Sequence, residues 1–344
     1  MGISTDDSQV HIDVILNGTN NHIMKNFITL LVFILSLTSG FSQNVPAKFT
    51  RPPIIDMHMH TQLPHDIPKG VPALCRPEPC EGDGHAVTDP AENFKKSLAQ
   101  MDKYNIVTAY LSGVDWSIVR QWDQKAPGRF IPSPFILDAG ESQLEKLKNE
   151  YDAGHLQAMG EIGVQLHGIP PNDPSLEPYF QLAEDLDLPV LIHVLGIGPY
   201  MPHFRSDAGS PLLLEDVLIK HPDLRLFIEN AGYPYRDDMI AMMYQYPQLY
   251  VDVSTITWVI PRQAFYDYLQ ALIRAGLGKR IMFGSDQMVW PDKIGEAIDA
   301  IEEAPFLSEE QKRDIFYNNA ARFLRLETEG KNMEPIRTSQ KAQN

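Results

Sequence analysis

The chain has 344 residues, 43% of them hydrophobic, with 45 Asp and Glu against 29 Lys and Arg, for a formal net charge of -16 and an isoelectric point near 5.1. That balance argues against nucleic acid or an anionic membrane surface as a partner and favours a small molecule. Less its leader, the chain is about the size of one (β/α)8 domain with its loops, typically ~250 residues plus insertions, and no low-complexity linker divides it.

The first distinctive segment is a basic residue, Lys25, ahead of an apolar run over 27–37, with small residues Ser39, Gly40 and Ser42 before Gln43. This order describes a secretory signal peptide over 24–42, and the run is too short to span a bilayer as a helix. Residues 1–23 are polar and carry Asp6, Asp7 and Asp13, unlike the start of a signal, so translation is expected to begin at Met24. The mature protein is then exported, periplasmic or secreted, with no stable membrane anchor because no cysteine stands at the cleavage site. A polar tail, 327–344, is expected to fray.

Short β-rich runs follow at 54–60, 106–114, 130–136, 157–163, 190–194, 226–232, 249–254 and 281–286. Amphipathic stretches lie between them, including 91–104, 141–151, 176–186, 211–221, 237–246, 262–275 and 292–303. This alternation predicts an α/β fold, a single (β/α)8 barrel over 50–326, with its active site where the strands end. The insert after the first strand holds Cys75 and Cys80, the chain's 2 cysteines. In an exported protein they could close a small disulfide loop, and two reduced thiols are the alternative.

The strand ends carry the chemistry. His58 and His60 are spaced i, i+2, which on a strand aims both imidazoles to one side. Later strands end in Glu161, His193, Asn230 and Asp286. Three imidazoles and a carboxylate around one opening suit a divalent cation, with Zn2+ the default and Mn2+ or Fe2+ alternatives. Asp286 could both bind the metal and take a proton from water.

Asp56-Met57-His58-Met59-His60, Gly160-Glu161-Ile162-Gly163, Leu191-Ile192-His193, Ala231-Gly232-Tyr233-Pro234, Tyr250-Val251-Asp252-Val253-Ser254, Phe283-Gly284-Ser285-Asp286 and the Asn318 to Leu324 stretch together resemble the amidohydrolase superfamily. The likeness is to its amidohydrolase-related branch of metal-dependent TIM-barrel hydrolases and carboxy-lyases, over about 50–326. The resemblance implies a metal held by His58, His60, His193 and Asp286; Glu161 could bridge two metals or bind one, and it is expected as a further ligand or a nearby acid. It also implies a departure, because the family usually places a histidine on strand six where this chain reads Glu229-Asn230-Ala231-Gly232. With Asn230 in that place, a single-metal site is expected, and Asn230 is left to bond a substrate oxygen or a water.

Softer candidates for substrate contact are His203, in the Gly- and Pro-rich loop 196–209 after strand five, and Tyr233, Arg236 and Trp258 after strands six and seven. Arg236 would suit a substrate carboxylate, or could equally bind Asp237 or Asp238. The resulting expectation is a metal-dependent hydrolase acting on a C–O or C–N bond of a small molecule. A non-oxidative decarboxylase on the same scaffold is the alternative, and a non-catalytic binding barrel is the alternative of another class. A homodimer is the assembly to expect by default.

Overall fold

The structure is a computed structural model that describes residues 51–62, 86–87, 89–198 and 201–326. The leader with its signal peptide, Cys75 and Cys80, and the polar tail lie outside the described residues. No helix among the described residues is long and apolar enough to cross a membrane.

Eight parallel strands appear among the described residues: β1 Ile54–His60, β2 Ile106–Gly113, β3 Phe130–Pro134, β4 Met159–Ile162, β5 Val190–Ile192, β6 Leu226–Ile228, β7 Leu249–Asp252 and β8 Ile281–Met282. Two sheets, β1 to β3 and β4 to β8, are joined at both edges. At one edge Ile136 pairs with Ile162, and Ile136 N–H donates to the Glu161 carbonyl at 2.7 Å. At the other, Met57 N–H donates to the Phe283 carbonyl and Asp286 N–H to that of His58. The α/β barrel is thereby closed, as the alternation of elements predicts.

Around it run α1 Pro90–Tyr104, α2 Trp116–Lys125, α3 Glu141–Asp152, α4 Glu177–Asp185, α5 Glu215–Lys220, α6 Arg236–Gln245, α7 Ile256–Val259, α8 Arg262–Arg274, α9 Lys293–Glu302, α10 Glu309–Arg313 and α11 Asn319–Phe323. α1 shows why such segments start and stop where they do. The Asp89 side chain accepts from Glu92 N–H at 2.7 Å, Pro90 opens the first turn, and Asn105 ends it in the left-handed region at φ 56°. Sequence reasoning did not single out α2, whose Trp116, Ile118, Val119 and Trp122 have strand-like composition; burial of Val119 and Trp122 settles it as a helix.

Most strands are shorter than their apolar runs, because their ends leave the sheet to aim side chains into the mouth. The inward alternation fills the barrel with Ile55, Met57, Tyr110, Leu191, Phe227 and Met282, while their neighbours along the strands pack against the helices. Ala320, Ala321 and Phe323 join this inner cluster; the Phe323 ring lies 5.3 Å from that of Phe227, and Arg225, just before β6, donates to the Phe323 carbonyl. The C-terminal helix therefore seals the N-terminal end of the barrel, and the carboxyl ends of the strands are left for chemistry.

Candidate metal centre

In β1, a register shift between Asp56 and Met59 breaks the strict alternation. Ile55 and Met57 stay in the barrel interior while His58 and His60 reach its mouth, both fully or almost fully buried. Gly284 makes this approach feasible, since a Cβ there would stand 2.8 Å from His58 Cβ and 3.1 Å from Ser254 Cβ.

Four donor atoms converge. His58 Nε2 lies 3.0 Å from His60 Nε2 and 3.3 Å from Glu161 Oε2. His60 Nε2 is 3.2 Å from the same Glu161 oxygen and 3.0 Å from Asp286 Oδ1, which is 3.8 Å from His58 Nε2. A cation about 2.0–2.2 Å from each donor gives donor-to-donor edges of roughly 3.0–3.6 Å; the edges among His58, His60 and Glu161 and the edge from His60 to Asp286 fall in that range, and the 3.8 Å from Asp286 to His58 is longer. Asp286 Oδ1 is buried and accepts no hydrogen bond, whereas Oδ2 accepts from the Thr255 hydroxyl at 2.7 Å. One oxygen is thus fixed and the other faces the other donors. Asp286 itself sits at φ 47°, a conformation that costs a non-glycine residue of order 1–3 kcal/mol.

The outer nitrogens of all three candidate histidines are tied down. His58 Nδ1 is 3.1 Å from Asp252 Oδ2 and 3.0 Å from the Ser254 hydroxyl. His60 Nδ1 pairs with the Ser112 hydroxyl at 2.9 Å, and His193 Nδ1 with Gln165 Oε1 at 3.0 Å. Gln165 is oriented in turn, accepting from Leu195 N–H and donating to the carbonyls of Leu195 and Arg205. Each Nε2 is left as the inward-facing donor, the arrangement by which outer partners set a metal-binding histidine's tautomer.

His193 Nε2 does not join the first four donors. It stands 3.1 Å from Glu229 Oε1, and Glu161, His193 and Glu229 form a second group with one donor atom each within 4.8 Å of the others. Glu229 is the functional residue the sequence reading missed. It lies two positions beyond Phe227, whose ring points into the barrel, so it inherits the inward face. Asn230, Ala231 and Gly232 then turn through left-handed conformations at φ 52°, 48° and 64°. The Asn230 amide oxygen accepts from Ile256 N–H and the Ser254 hydroxyl, and its backbone N–H donates to Asp252. The strand-six position expected for Asn230 is held by Glu229, and Asn230 braces the β6 and β7 ends.

Electrostatics follow from burying so many groups together. Burial opposes charge on His58 and His60, but Asp286 with Asp252 at His58, and Asp286 with Glu161 at His60, outweigh it and raise both imidazoles above their ordinary range. Burial likewise favours a neutral Glu161, yet His58 and His60 hold it below the usual carboxylate range. Burial and then the Glu161 charge push Glu229 well up, while burial pushes His193 down. Among the described residues, no Lys or Arg pairs with Glu161, Glu229, Asp252 or Asp286, the pattern of a pocket built to receive cations.

The softer candidates are placed elsewhere. Arg236 is exposed and bonds Asp237 at 2.8 Å, the second of the two options open to it. His203 is exposed, and in its loop it is Phe204 whose ring approaches His193, at 6.3 Å between centroids. Trp258 is buried with its indole N–H committed to the Ser285 carbonyl at 2.9 Å, and Tyr233 is half-buried against Tyr268.

An α/β barrel with a histidine and carboxylate cation pocket at the carboxyl ends of its strands defines a class of metalloenzyme. Within that class, residues 55–326 match the amidohydrolase family model, and the chain belongs to that family. It is thereby an enzyme of the amidohydrolase superfamily, whose members are metal-dependent, and the hydrolase expectation agrees with that membership. No curated protein sequence matches the chain. Solved structures share the fold: an uncharacterized TIM-barrel protein from Bordetella bronchiseptica at 18% identity and TM-score 0.58, covering 80% of this chain and 99% of the other. A probable 2-pyrone-4,6-dicarboxylic acid hydrolase from Acinetobacter baumannii matches at 14% identity and TM-score 0.56, covering 79% and 99%. A 5-carboxyvanillate decarboxylase from Sphingomonas paucimobilis matches at 15% and 0.54, also covering 79% and 99%.

Proposed function

We propose that the protein is a hydrolase that uses a divalent cation, Zn2+ by donor chemistry, to cleave a C–O or C–N bond of a small molecule. The observation that carries this reading is the convergence of His58 Nε2, His60 Nε2, Glu161 Oε2 and Asp286 Oδ1, with the outer nitrogens of both histidines and the second oxygen of Asp286 anchored. A cation bound there would lower the pKa of water toward ~7 and polarise the scissile carbonyl. Asp286, oriented by the Thr255 hydroxyl beside the cation position, is the residue to accept the water's proton. His58 and His60 position the cation, Asp252 and Ser112 orient them, and the Phe204 ring over His193 helps keep bulk water away.

A decarboxylase remains the second reading, since one structural relative carries that name. The local charge favours hydrolysis of a neutral ester, lactone or amide: carboxylates surround the cation position, and a substrate carboxylate would meet them without a described Lys or Arg to offset the repulsion. The exported location is part of the same proposal and rests on residues 24–42 alone.

The test is turnover of ester, lactone and amide panels in 18O-labelled water. One solvent oxygen in the product, lost on chelation and regained with Zn2+ or Mn2+, supports the reading. Release of carbon dioxide without solvent oxygen in the organic product would replace it with the carboxy-lyase.

A further inference from the structure

The two histidines of β1 run beside a strand that stops short of them. β8 is only Ile281–Met282, so the chain from Phe283 to Gln287 passes His58 and His60 without a regular ladder. Backbone N–H and C=O groups buried at this seam still need partners. Part of the need is met by Asp56 Oδ1, which accepts from His58 N–H at 3.0 Å and Ser285 N–H at 2.9 Å, and by Asp286 N–H, which donates to the His58 carbonyl at 2.6 Å. One residue further on, the Gln287 side chain takes both backbone groups of His60. Its Oε1 accepts from His60 N–H at 3.1 Å, and its Nε2 donates to the His60 carbonyl at 2.7 Å.

We infer that Gln287 is a positioning residue for the metal centre: it grips the backbone of His60 while following Asp286 in sequence, and so sets the distance between those two donors. This rests on the metal-dependent reading above and adds to it a residue whose side chain is committed to backbone.

Three observations carry it. The first is connectivity. Gln287 is bonded covalently to Asp286, so its clamp closes a short ring through Asp286 and His60, and the edge spanned is the 3.0 Å from His60 Nε2 to Asp286 Oδ1. The second is backbone conformation. Asp286 and Met288, on either side of Gln287, both stand in the left-handed region at φ 47°, which non-glycine residues keep only where the surroundings fix them. The third is the chemistry of the amide. Gln287 is fully buried, and its side chain carries the donor and the acceptor that the two His60 groups require. An apolar side chain there would leave both groups buried and unpaired, and a carboxylate would set an oxygen against the His60 carbonyl.

The experiment compares Gln287→Met with Asn319→Leu in the full chain, by competition with a chromogenic chelator and by the visible spectrum of the Co2+-loaded protein. Asn319 serves as the control because it is likewise a fully buried amide tied to β8, donating to the Gly278 and Ile281 carbonyls at the opposite end of that strand. Gln287→Met is expected to lose about 10–100-fold in metal affinity and to shift the Co2+ bands, whereas Asn319→Leu lowers Tm and keeps both. Parent-like affinity and bands in Gln287→Met, or an equal loss in Asn319→Leu, overturn the inference. If Gln287→Met does not fold, Gln287→Asn carries the test, because its amide stops one methylene short of His60; unchanged affinity there overturns the inference equally. A parent chain that binds no metal defeats the metal-dependent reading instead, so the two failures are distinct.

Discussion

Glu229 Oε1 stands 3.1 Å from His193 Nε2, while the adjacent Asn230 turns its side chain to the backbone of Ile256. One residue of offset thus exchanges a bracing amide for a buried carboxylate in the catalytic mouth. Behind His193, Gln165 presents its Oε1 to Nδ1 at 3.0 Å. Gln165→Ala should leave secondary structure intact and weaken metal affinity or kcat/KM by about 10–100-fold, the usual effect of losing such an outer partner. Competition with a chromogenic chelator measures the first quantity directly.

Asp286→Asn keeps the Thr255 contact within reach but removes the proton acceptor. The expected loss in kcat is about 10²–10⁴-fold, with a native circular dichroism spectrum. Full turnover in this variant would remove Asp286 from the mechanism.

The sequence made His58, His60, Glu161 and Asp286 legible because each sits at the end of an apolar run, and i, i+2 spacing needs only a strand to become chemistry. It concealed Glu229 because nothing in Ile228-Glu229-Asn230-Ala231-Gly232 announces that the chain turns left-handed immediately after Glu229. It also offered Arg236 as a carboxylate binder, since the pairing with Asp237 is one residue away and becomes apparent only when both stand exposed at the start of α6. Arg236→Ala is therefore expected to leave KM unchanged across substrates, a steady-state measurement that separates fold position from side-chain suitability.

Metal-free protein should lose stability as pH rises above about 6.5. His58 and His60 are raised above 6.5 in the fold, so the stability they contribute is fully present below that value and lost as pH climbs through their folded pKa values. Glu229, raised in the fold, acts in the same direction. Bound metal replaces those protons, so thermal scans from pH 6 to 9 should show the gap in Tm between loaded and stripped protein widening with pH. A constant gap would mean that protons and metal do not compete for these side chains.

Gly284→Ala places a methyl 2.8 Å from His58 Cβ and 3.4 Å from Asp252 Cγ. Overpacking of this kind costs about 1–3 kcal/mol, read from urea denaturation. Because the displaced atoms belong to His58 and its anchor, metal affinity should fall along with stability.

The most direct test of the metal centre is anomalous diffraction from crystals of the manganese-loaded protein. The account predicts a peak enclosed by His58, His60, Glu161 and Asp286. A map without a peak against His58 and His60 would contradict it.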